Sequence, residues 1–239
     1  MIRLERLLAN RGYCARSDVP GFLQAHDVRA AGVRLSRPAE RVNPDAVTVD
    51  GVTIDPPTLV LVMNKPTGCT CSHRDAGPLV YDLLPQRYRR RDPPLATVGR
   101  LDKDTGGVLL LTDDGPLLHR LTSPKHHVPR VYVAELARPM TGSEAGVFAS
   151  GTLTLEGDDK PLRPATLEPL GPATARVTLT EGRYHQVRRM FAAVGNHVVS
   201  LHRVAFGLLS ADDLPAGAWR PLRRDELDLL TVATQRRDV

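Results

Sequence analysis

The sequence predicts an α+β protein whose main part is a largely antiparallel β-sheet. Three apolar runs of strand length, at 59–64, 108–112 and 130–136, are separated by stretches rich in turn residues such as Asp, Gly and Pro. Segments with helical spacing, at 143–150 and 186–194, interrupt the strands without the regular alternation of a doubly wound sheet. Strand-rich stretches broken by occasional helices favour an antiparallel sheet with helices packed on it.

The N-terminal part predicts a small α/β unit of its own. Residues 2–10 carry apolar side chains at near-helical spacing. Ser17 and Asp18 are typical caps for a second short helix. From 28 to 54 the pattern changes to short β-like pieces with a hairpin signal at the Asp-Gly pair 50–51. We therefore expect two short helices followed by a small β-unit.

A stiff linker separates this unit from the rest of the chain. Residues 55–58 read Asp-Pro-Pro-Thr, a composition that stiffens the backbone. Beyond it, Gly and Pro between 152 and 179 separate several further short strands. The expected division is an N-terminal domain, a linker, a main domain and a C-terminal tail, at 1–55, 56–58, 59–232 and 233–239.

The charge pattern favours a polyanionic partner. The net charge is +5, and arginines cluster in residues 1–41 and more densely at 87–91. No apolar run approaches the roughly 20 residues that a bilayer-spanning helix needs. Charged residues interrupt the N-terminal apolar pattern, which argues against a signal peptide. We expect a cytoplasmic protein without membrane contact.

The cysteine and histidine patterns indicate no metal site. Cys14, Cys69 and Cys71 are an odd set, and the Cys-Thr-Cys spacing is too short for a zinc knuckle. The histidines are not accompanied by carboxylates at metal-site spacing. We therefore expect reduced thiols, no metal and no cofactor.

The first candidate for chemistry is Asp102. It lies in the turn Gly-Arg-Leu-Asp-Lys-Asp-Thr-Gly-Gly at 99–107, directly before an apolar strand. A carboxylate held at the exposed end of a rigid strand suits a nucleophile or a general base. Alternatively, Asp102 or Asp104 only accepts hydrogen bonds from turn amides, as aspartate does in many loops. Taken alone, the turn favours this second interpretation.

A second polar cluster, at 181–191, marks the start of a helix. Gly182 permits a tight strand-to-helix turn, and Arg183, His185 and Gln186 crowd the beginning of the helix. The free backbone amides and positive dipole end of a helix N-terminus favour anions such as phosphate. A solvated basic helix start that binds nothing is the alternative interpretation.

Four segments, taken in order, extend this pattern along the chain. They are the strand and turn at 61–68, the Asp102 motif and its strand at 99–115, the strand around Tyr132, and the long segment 181–199. In this order they resemble the pseudouridine synthase family that modifies the small ribosomal subunit. The last segment matches that family at nearly every position, and 214–222 also fits. The resemblance covers roughly 59–228 and implies a pseudouridine synthase fold.

Residues 1–58 resemble an S4-type RNA-binding domain. The apolar spacing of the first helix and the pair Arg16-Ser17 suit that domain. The Pro-Gly pair at 20–21 and the His-Asp pair at 26–27 depart from it. The resemblance implies a small α/β appendage that contacts RNA through residues such as Arg16.

The resemblance implies a reaction and its catalytic residues. One uridine of 16S rRNA, at the pseudouridine-516 type site, would lose its bond from base to sugar and rejoin through carbon. Nothing is oxidised in this isomerisation. Asp102 would attack the sugar C1′ or the uracil, or take the C2′ proton. Tyr132 would stack on the flipped uracil, and Arg188 would be the cation that keeps Asp102 ionised.

The resemblance also implies the residues that bind substrate. Arg100 would fill the space that the base leaves or hold its phosphate, and Leu201 would form an apolar wall. The further candidates for RNA contact are Lys65, Arg183, His185, Gln186, Arg189 and Arg16. The expected partner is ribosomal RNA, free or in an assembling small subunit, and the protein is expected to act as a monomer.

Three other functions stay open. A synthase for the large-subunit 23S rRNA shares the strand and aspartate motifs. A non-catalytic rRNA-binding assembly factor would be indicated by an altered Asp102 or Tyr132, and both are present. A hydrolase that uses Asp102 with His185 is disfavoured because no oxyanion-type loop is evident.

Overall fold

The computed structural model describes residues 1–235 of the protein. Its N-terminal part, up to residue 54, contains short helices and short strands. In chain order they are β1 (Ile2–Arg3), α1 (Leu4–Asn10), α2 (Val19–Ala25), β2 (Val28–Ala30), β3 (Val33–Arg34), β4 (Arg41–Val42), β5 (Val47–Val49) and β6 (Val52–Thr53). Strands β1 and β4 form one small sheet, and the others form a four-stranded sheet in the order β3-β2-β5-β6.

The first helix begins later than the sequence predicts. Residues 2 and 3 form strand β1 instead, because they pair with Val42 and Arg41 of β4. The predicted cap of α2 is wrong as well. The Ser17 hydroxyl donates to the Asp18 carboxylate, and no side chain caps the helix.

The rest of the chain builds one eight-stranded sheet with helices packed on it. In chain order its elements are β7 (Val60–Lys65), α3 (Gln86–Arg89), β8 (Ala96–Thr97), β9 (Thr105–Thr112), α4 (Gly115–Thr122), β10 (Arg130–Leu136), α5 (Glu144–Ala149), β11 (Thr166–Gly171), β12 (Thr174–Leu179), α6 (Gln186–Ala193), β13 (Val198–Phe206), β14 (Trp219–Pro221) and α7 (Arg224–Gln235). The strand order is β11-β12-β10-β13-β9-β7-β14, with β8 beside β9. All of its pairs are antiparallel except β9 with β13, so the predicted α+β class is confirmed.

Strand β9 lies in the middle of this sheet, and all its residues are buried. Successive side chains of a strand point to opposite faces. Leu109 and Leu111 accordingly pack in the larger core, whereas Val108 and Leu110 pack in a second core on the other face. The sheet is therefore covered on both sides, and its end near Thr105 is held rigidly.

Gly107 permits the parallel contact between β9 and β13. Its φ is +106°, in the region that favours glycine, and a Cβ atom there would lie 2.2 Å from the Arg203 carbonyl oxygen. No other residue type fits this approach without moving the backbone. The contact matters for the candidate site because Leu201 and Arg203 on β13 line its pocket.

The structure differs from the predicted elements in the second half of the chain. Between 152 and 179 only β11 and β12 are strands, and residues 152–165 form loops. Strands β13 and β14 and helix α7 were not predicted. Helix α7 runs to Gln235 and so passes the predicted boundary at 232, while 236–239 of the predicted tail lie outside the described residues.

A partly buried ionic cluster joins the linker to the main sheet. We call it the linker latch and define it as Asp55, Arg87, Arg91 and Asp113. The Nε of Arg91 lies 2.7 Å from Asp113, and both side chains are almost fully buried. Arg91 also donates to the carbonyls at 56 and 57, and the Leu59 amide donates to Asp113. Arg87 pairs with Asp55 at 3.1 Å. Arg87 and Arg91, the two ends of the densest arginine run, thus bind carboxylates of the chain itself.

None of the helices in the described part of the chain has the length and apolarity to span a membrane.

Candidate active site

Asp102 lies in a loop that several backbone contacts hold against the end of β7. The Thr105 amide donates to the Asp102 carbonyl, and the Gly68 amide donates to the carbonyl of Lys103. Gly99, with a φ of +70°, takes the turn that starts the loop. The Asp102 side chain is 31% exposed, so the carboxylate is held in place and yet accessible.

Lys65 fixes the same loop from below, which corrects its predicted contact with RNA. Its side chain is buried, and Nζ donates to the carbonyls of Pro66, Asp102 and Thr105 at 3.1, 3.0 and 2.9 Å. An ammonium group has three donors, and all three are used. Burial lowers the pKa of Lys65. It is a positioning group for the loop that carries Asp102.

A pocket of about 330 Å³ opens beside Asp102. It brings together most of the residues predicted to act on the substrate, namely Asp102, Arg100, Tyr132, Leu201, Arg183, His185 and Gln186. These residues come from the 99–104 loop, from β10 and β13, and from the segment that leads into α6. Segments far apart in sequence therefore converge on one cavity.

Tyr132 and Leu201 supply apolar surface in this pocket. They belong to adjacent strands, with Leu201 opposite Ala134 on β10 and beside Thr105 on β9. Both side chains are largely buried. An aromatic ring and an aliphatic side chain next to a carboxylate suit a planar ring that must be held close to a reactive oxygen.

His185 is the side chain in contact with Asp102. Its Nε2 lies 3.4 Å from the Asp102 Oδ1, and its ring stacks on Tyr184 at 3.9 Å. His185 has a φ of +47° and occupies the N-cap position of α6. This left-handed turn directs the ring toward the pocket, where it can orient the carboxylate.

Arg188 does not make the predicted contact with Asp102. Its Nη2 lies 2.8 Å from Asp104 Oδ2, and its Nη1 donates to the Val198 carbonyl. Arg188 lies one helical turn beyond His185, about 4.5 Å further along α6, and there the next carboxylate of the loop is in reach. Asp104 thus links the loop to the helix, and the side chain that contacts the Asp102 carboxylate is His185.

Arg183, Gln186 and Arg189 secure the start of α6. Arg183 and Arg189 both pair with Asp158 at 2.8 Å. Gln186 accepts from the Arg183 amide and donates to Glu181. Arg189 and Gln186 thus have structural partners within the chain, and their contact with RNA stays a prediction. Arg183 lines the pocket, but its guanidinium is engaged in the same way.

The remaining two predicted RNA contacts differ in position. Arg100 is exposed at the rim of the pocket beside Asp102. Arg16 lies in a short exposed turn of the N-terminal part, outside the pocket. Arg100 can therefore reach a substrate in the pocket, whereas Arg16 can contact only a more distant part of a large ligand.

Sequence reasoning missed two arginines of the pocket wall, Arg130 and Arg203. Each lies two residues from a predicted pocket residue on the same strand, Arg130 from Tyr132 and Arg203 from Leu201. Residues two apart on a strand share a face. The two-residue spacing could therefore have identified both arginines as pocket residues. It also makes the pocket more cationic than the predicted residues alone would.

The arrangement can therefore hold a flat ring against Tyr132 and Leu201 and present a carboxylate to it. Cationic side chains around the pocket suit a ligand that carries phosphate.

Comparison with known proteins identifies the family of this chain. The family model described as RNA pseudouridylate synthase matches residues 59–193. The chain is 39% identical over 234 residues to "Ribosomal small subunit pseudouridine synthase A" of Pasteurella multocida, covering 95% of this chain and 98% of that protein. It is 45% identical over 174 residues to the protein of the same name from Haemophilus influenzae, covering 71% and 72% of the two chains.

A solved structure described as a crystal structure of pseudouridylate synthase superposes with a TM-score of 0.67 and 35% identity. The match covers 96% of this chain and all of the other. The region that the family model matches contains the Asp102 loop, the strand that bears Tyr132, and helix α6. The chain belongs to the RNA pseudouridylate synthase family, and it is a pseudouridine synthase.

Proposed function

We propose that this protein converts one uridine of 16S rRNA to pseudouridine, at the pseudouridine-516 type site, with Asp102 as the nucleophile or base. Relatives that match nearly its whole length are named small-subunit enzymes. The observation that carries the catalytic assignment is the position of Asp102, the carboxylate of a pocket with an aromatic and an aliphatic wall. Ribosomal RNA is thus the proposed partner, and the protein acts on it as a monomer.

The reaction needs positioning more than it needs added reagents. The bond from C1′ to N1 of uracil breaks, the base turns, and a bond from C1′ to C5 forms. The proton lost from C5 is balanced by the proton that N1 gains. Tyr132 and Leu201 keep the detached base in the pocket, and Asp102 begins the reaction on the sugar or the base.

We further propose that residues 1–55 form an S4-type RNA-binding domain that improves the hold on rRNA. These residues have their own apolar core, built on the leucines of α1 and the valines of the small sheet. Arg16 and other exposed arginines lie on its surface. Phosphate contacts of this kind raise affinity without reading sequence.

Pseudouridine mapping in 16S and 23S rRNA tests the proposal. A strain that lacks the gene is compared with the same strain carrying the natural gene or an Asp102→Asn version. We expect one 16S position to lose its pseudouridine and to regain it only with the natural gene. Loss of a 23S position instead would assign the enzyme to the large subunit. Restoration by Asp102→Asn would remove Asp102 from the mechanism and favour a non-catalytic role for that residue.

A further inference from the structure

One wall of the pocket carries two arginines without a carboxylate partner. Arg203 is 1% exposed; its Nε donates to the Val108 carbonyl at 2.8 Å, and its Nη2 is buried without a hydrogen-bond partner. Arg130 donates only to the Val128 carbonyl, at 3.3 Å. Among the described residues, neither guanidinium forms an ion pair. Arg203 is buried without a counter-charge and Arg130 is half-buried beside it, an arrangement that is costly unless a partner comes from outside the chain.

The two guanidiniums also contact the same aromatic ring. Both lie over the Phe206 ring, 5.5 Å from its centroid for Arg130 and 5.4 Å for Arg203. Burial lowers the pKa of Arg130, and the charge of Arg203 lowers it further. Two cations beside one ring give this part of the pocket a positive charge, which suits an anion.

We propose that Arg130 and Arg203 form a phosphate subsite that holds a backbone phosphate next to the flipped uridine. This inference rests on the proposed function, because it takes RNA as the substrate. Both arginines share the pocket with Tyr132, and Arg203 is the strand neighbour of Tyr132. A base on the Tyr132 ring therefore brings its own backbone to this wall. The planar donor fork of arginine matches two phosphate oxygens.

The test is a binding cycle with an oligoribonucleotide that contains the mapped uridine. In separate oligonucleotides, the phosphate on the 5′ or the 3′ side of that uridine is replaced by an uncharged methylphosphonate. Binding is measured by fluorescence anisotropy for the natural protein and for Arg130→Gln. We expect neutralisation of the contacted phosphate to weaken natural binding by roughly tenfold to hundredfold. With Arg130→Gln, where only Arg203 still faces the phosphate, the same neutralisation should weaken binding at least about threefold less than in the natural protein.

Two further variants give the cycle its controls. Arg130→Lys keeps the charge and should retain most of the coupling to the phosphate. Arg176→Gln alters an exposed arginine that pairs with Glu168, outside the pocket, and should leave the response to methylphosphonate as in the natural protein. Arg203→Gln is not required, because the loss of its bond to Val108 can itself disturb the sheet.

The outcomes separate this inference from the proposed function. If the effects of Arg130→Gln and of both phosphate changes simply add, the arginines hold neither phosphate and the subsite is refuted. Pseudouridine formation in the unmodified oligonucleotide is measured in parallel. Its absence counts against the proposed function, while the binding cycle still reports whether the arginines meet a phosphate.

Discussion

The linker latch and the pocket wall formed by Arg130 and Arg203 each contain a buried guanidinium group. In the latch carboxylates of the chain neutralise the charge, whereas in the wall they do not. In the latch, Arg91 meets Asp113 at 2.7 Å and donates through Nη2 to two linker carbonyls. In the wall, Arg130 and Arg203 meet only single carbonyls and a ring face. An arginine that is neutralised inside the chain serves the fold. An arginine that stays unneutralised in a pocket indicates the charge of the ligand.

The largest expected effect comes from the pocket carboxylate, which should be important for turnover and not for folding. Asp102→Asn should lower pseudouridine formation by about four orders of magnitude or more, because the group that starts the reaction is lost. RNA binding should stay within about tenfold, since phosphate contacts dominate affinity. Tritium release from labelled RNA and a binding titration measure the two quantities.

Asp104→Asn is the matched control for this prediction. Asp104 is 67% exposed and pairs with Arg188. Its replacement should lower turnover by less than about tenfold, because an exposed ion pair contributes little. Equal losses for both variants would mean that the loop as a whole, and not the Asp102 carboxylate, is required.

The next largest effect is expected in the latch, where a substitution should reduce stability. Arg91→Met leaves Asp113 buried without its counter-charge, and removal of one partner of a buried pair costs about 3 to 5 kcal/mol. Arg130→Gln, in contrast, relieves repulsion on the wall and should change the free energy of unfolding by less than about 1 kcal/mol. Chemical denaturation of both variants measures the difference. A loss of stability for Arg130→Gln as large as that for Arg91→Met would show that the wall arginine serves the fold in the same way as the latch arginine.

These two regions also show what the sequence could predict. The turn around Asp102 and the strand with Tyr132 are local motifs, and the structure brings them into one pocket; the strand that bears Leu201 was not predicted. The fold class followed from the same strand patterns. Their catalytic roles stay predictions until the variants are measured.

Charge partners could not be predicted in the same way. Arg91 and Asp113 are 22 residues apart, and Arg183 and Asp158 are 25 apart, so no sequence spacing joins them. Lys65 was predicted to contact RNA, because the motif that contains it does not reveal that the side chain is buried. The third dimension decides whether a basic side chain faces the ligand or a carbonyl of its own chain.

Lys65 provides a smaller, kinetic test of how the pocket is built. Lys65→Met removes three hydrogen bonds that hold the Asp102 loop. We expect kcat to fall by roughly tenfold to hundredfold, because a displacement of about 1 Å is enough to cost that much. KM should change by less than about threefold, since Lys65 does not reach the substrate. A rise in KM with unchanged kcat would instead place Lys65 in direct contact with RNA.

The smallest effect on stability is expected at Glu226, a carboxylate that, as in the latch, is paired with an arginine of the chain itself. Arg220 donates to both of its oxygens at 2.7 and 2.8 Å, and the hydrogen bonds from Arg220 lower the pKa of Glu226. Because the carboxylate is favoured in the folded state, it stabilises the protein above the usual value of 4.5. That contribution is lost as the pH falls through the lowered pKa. The difference in Tm between the natural protein and Glu226→Gln should therefore shrink between pH 5 and about pH 3.

Asp225→Asn, at a carboxylate that is 74% exposed, is the control and should show little difference at any pH. A Tm difference for Glu226→Gln that is constant with pH would show that the shape of the side chain, and not its charge, stabilises the end of β14 against α7.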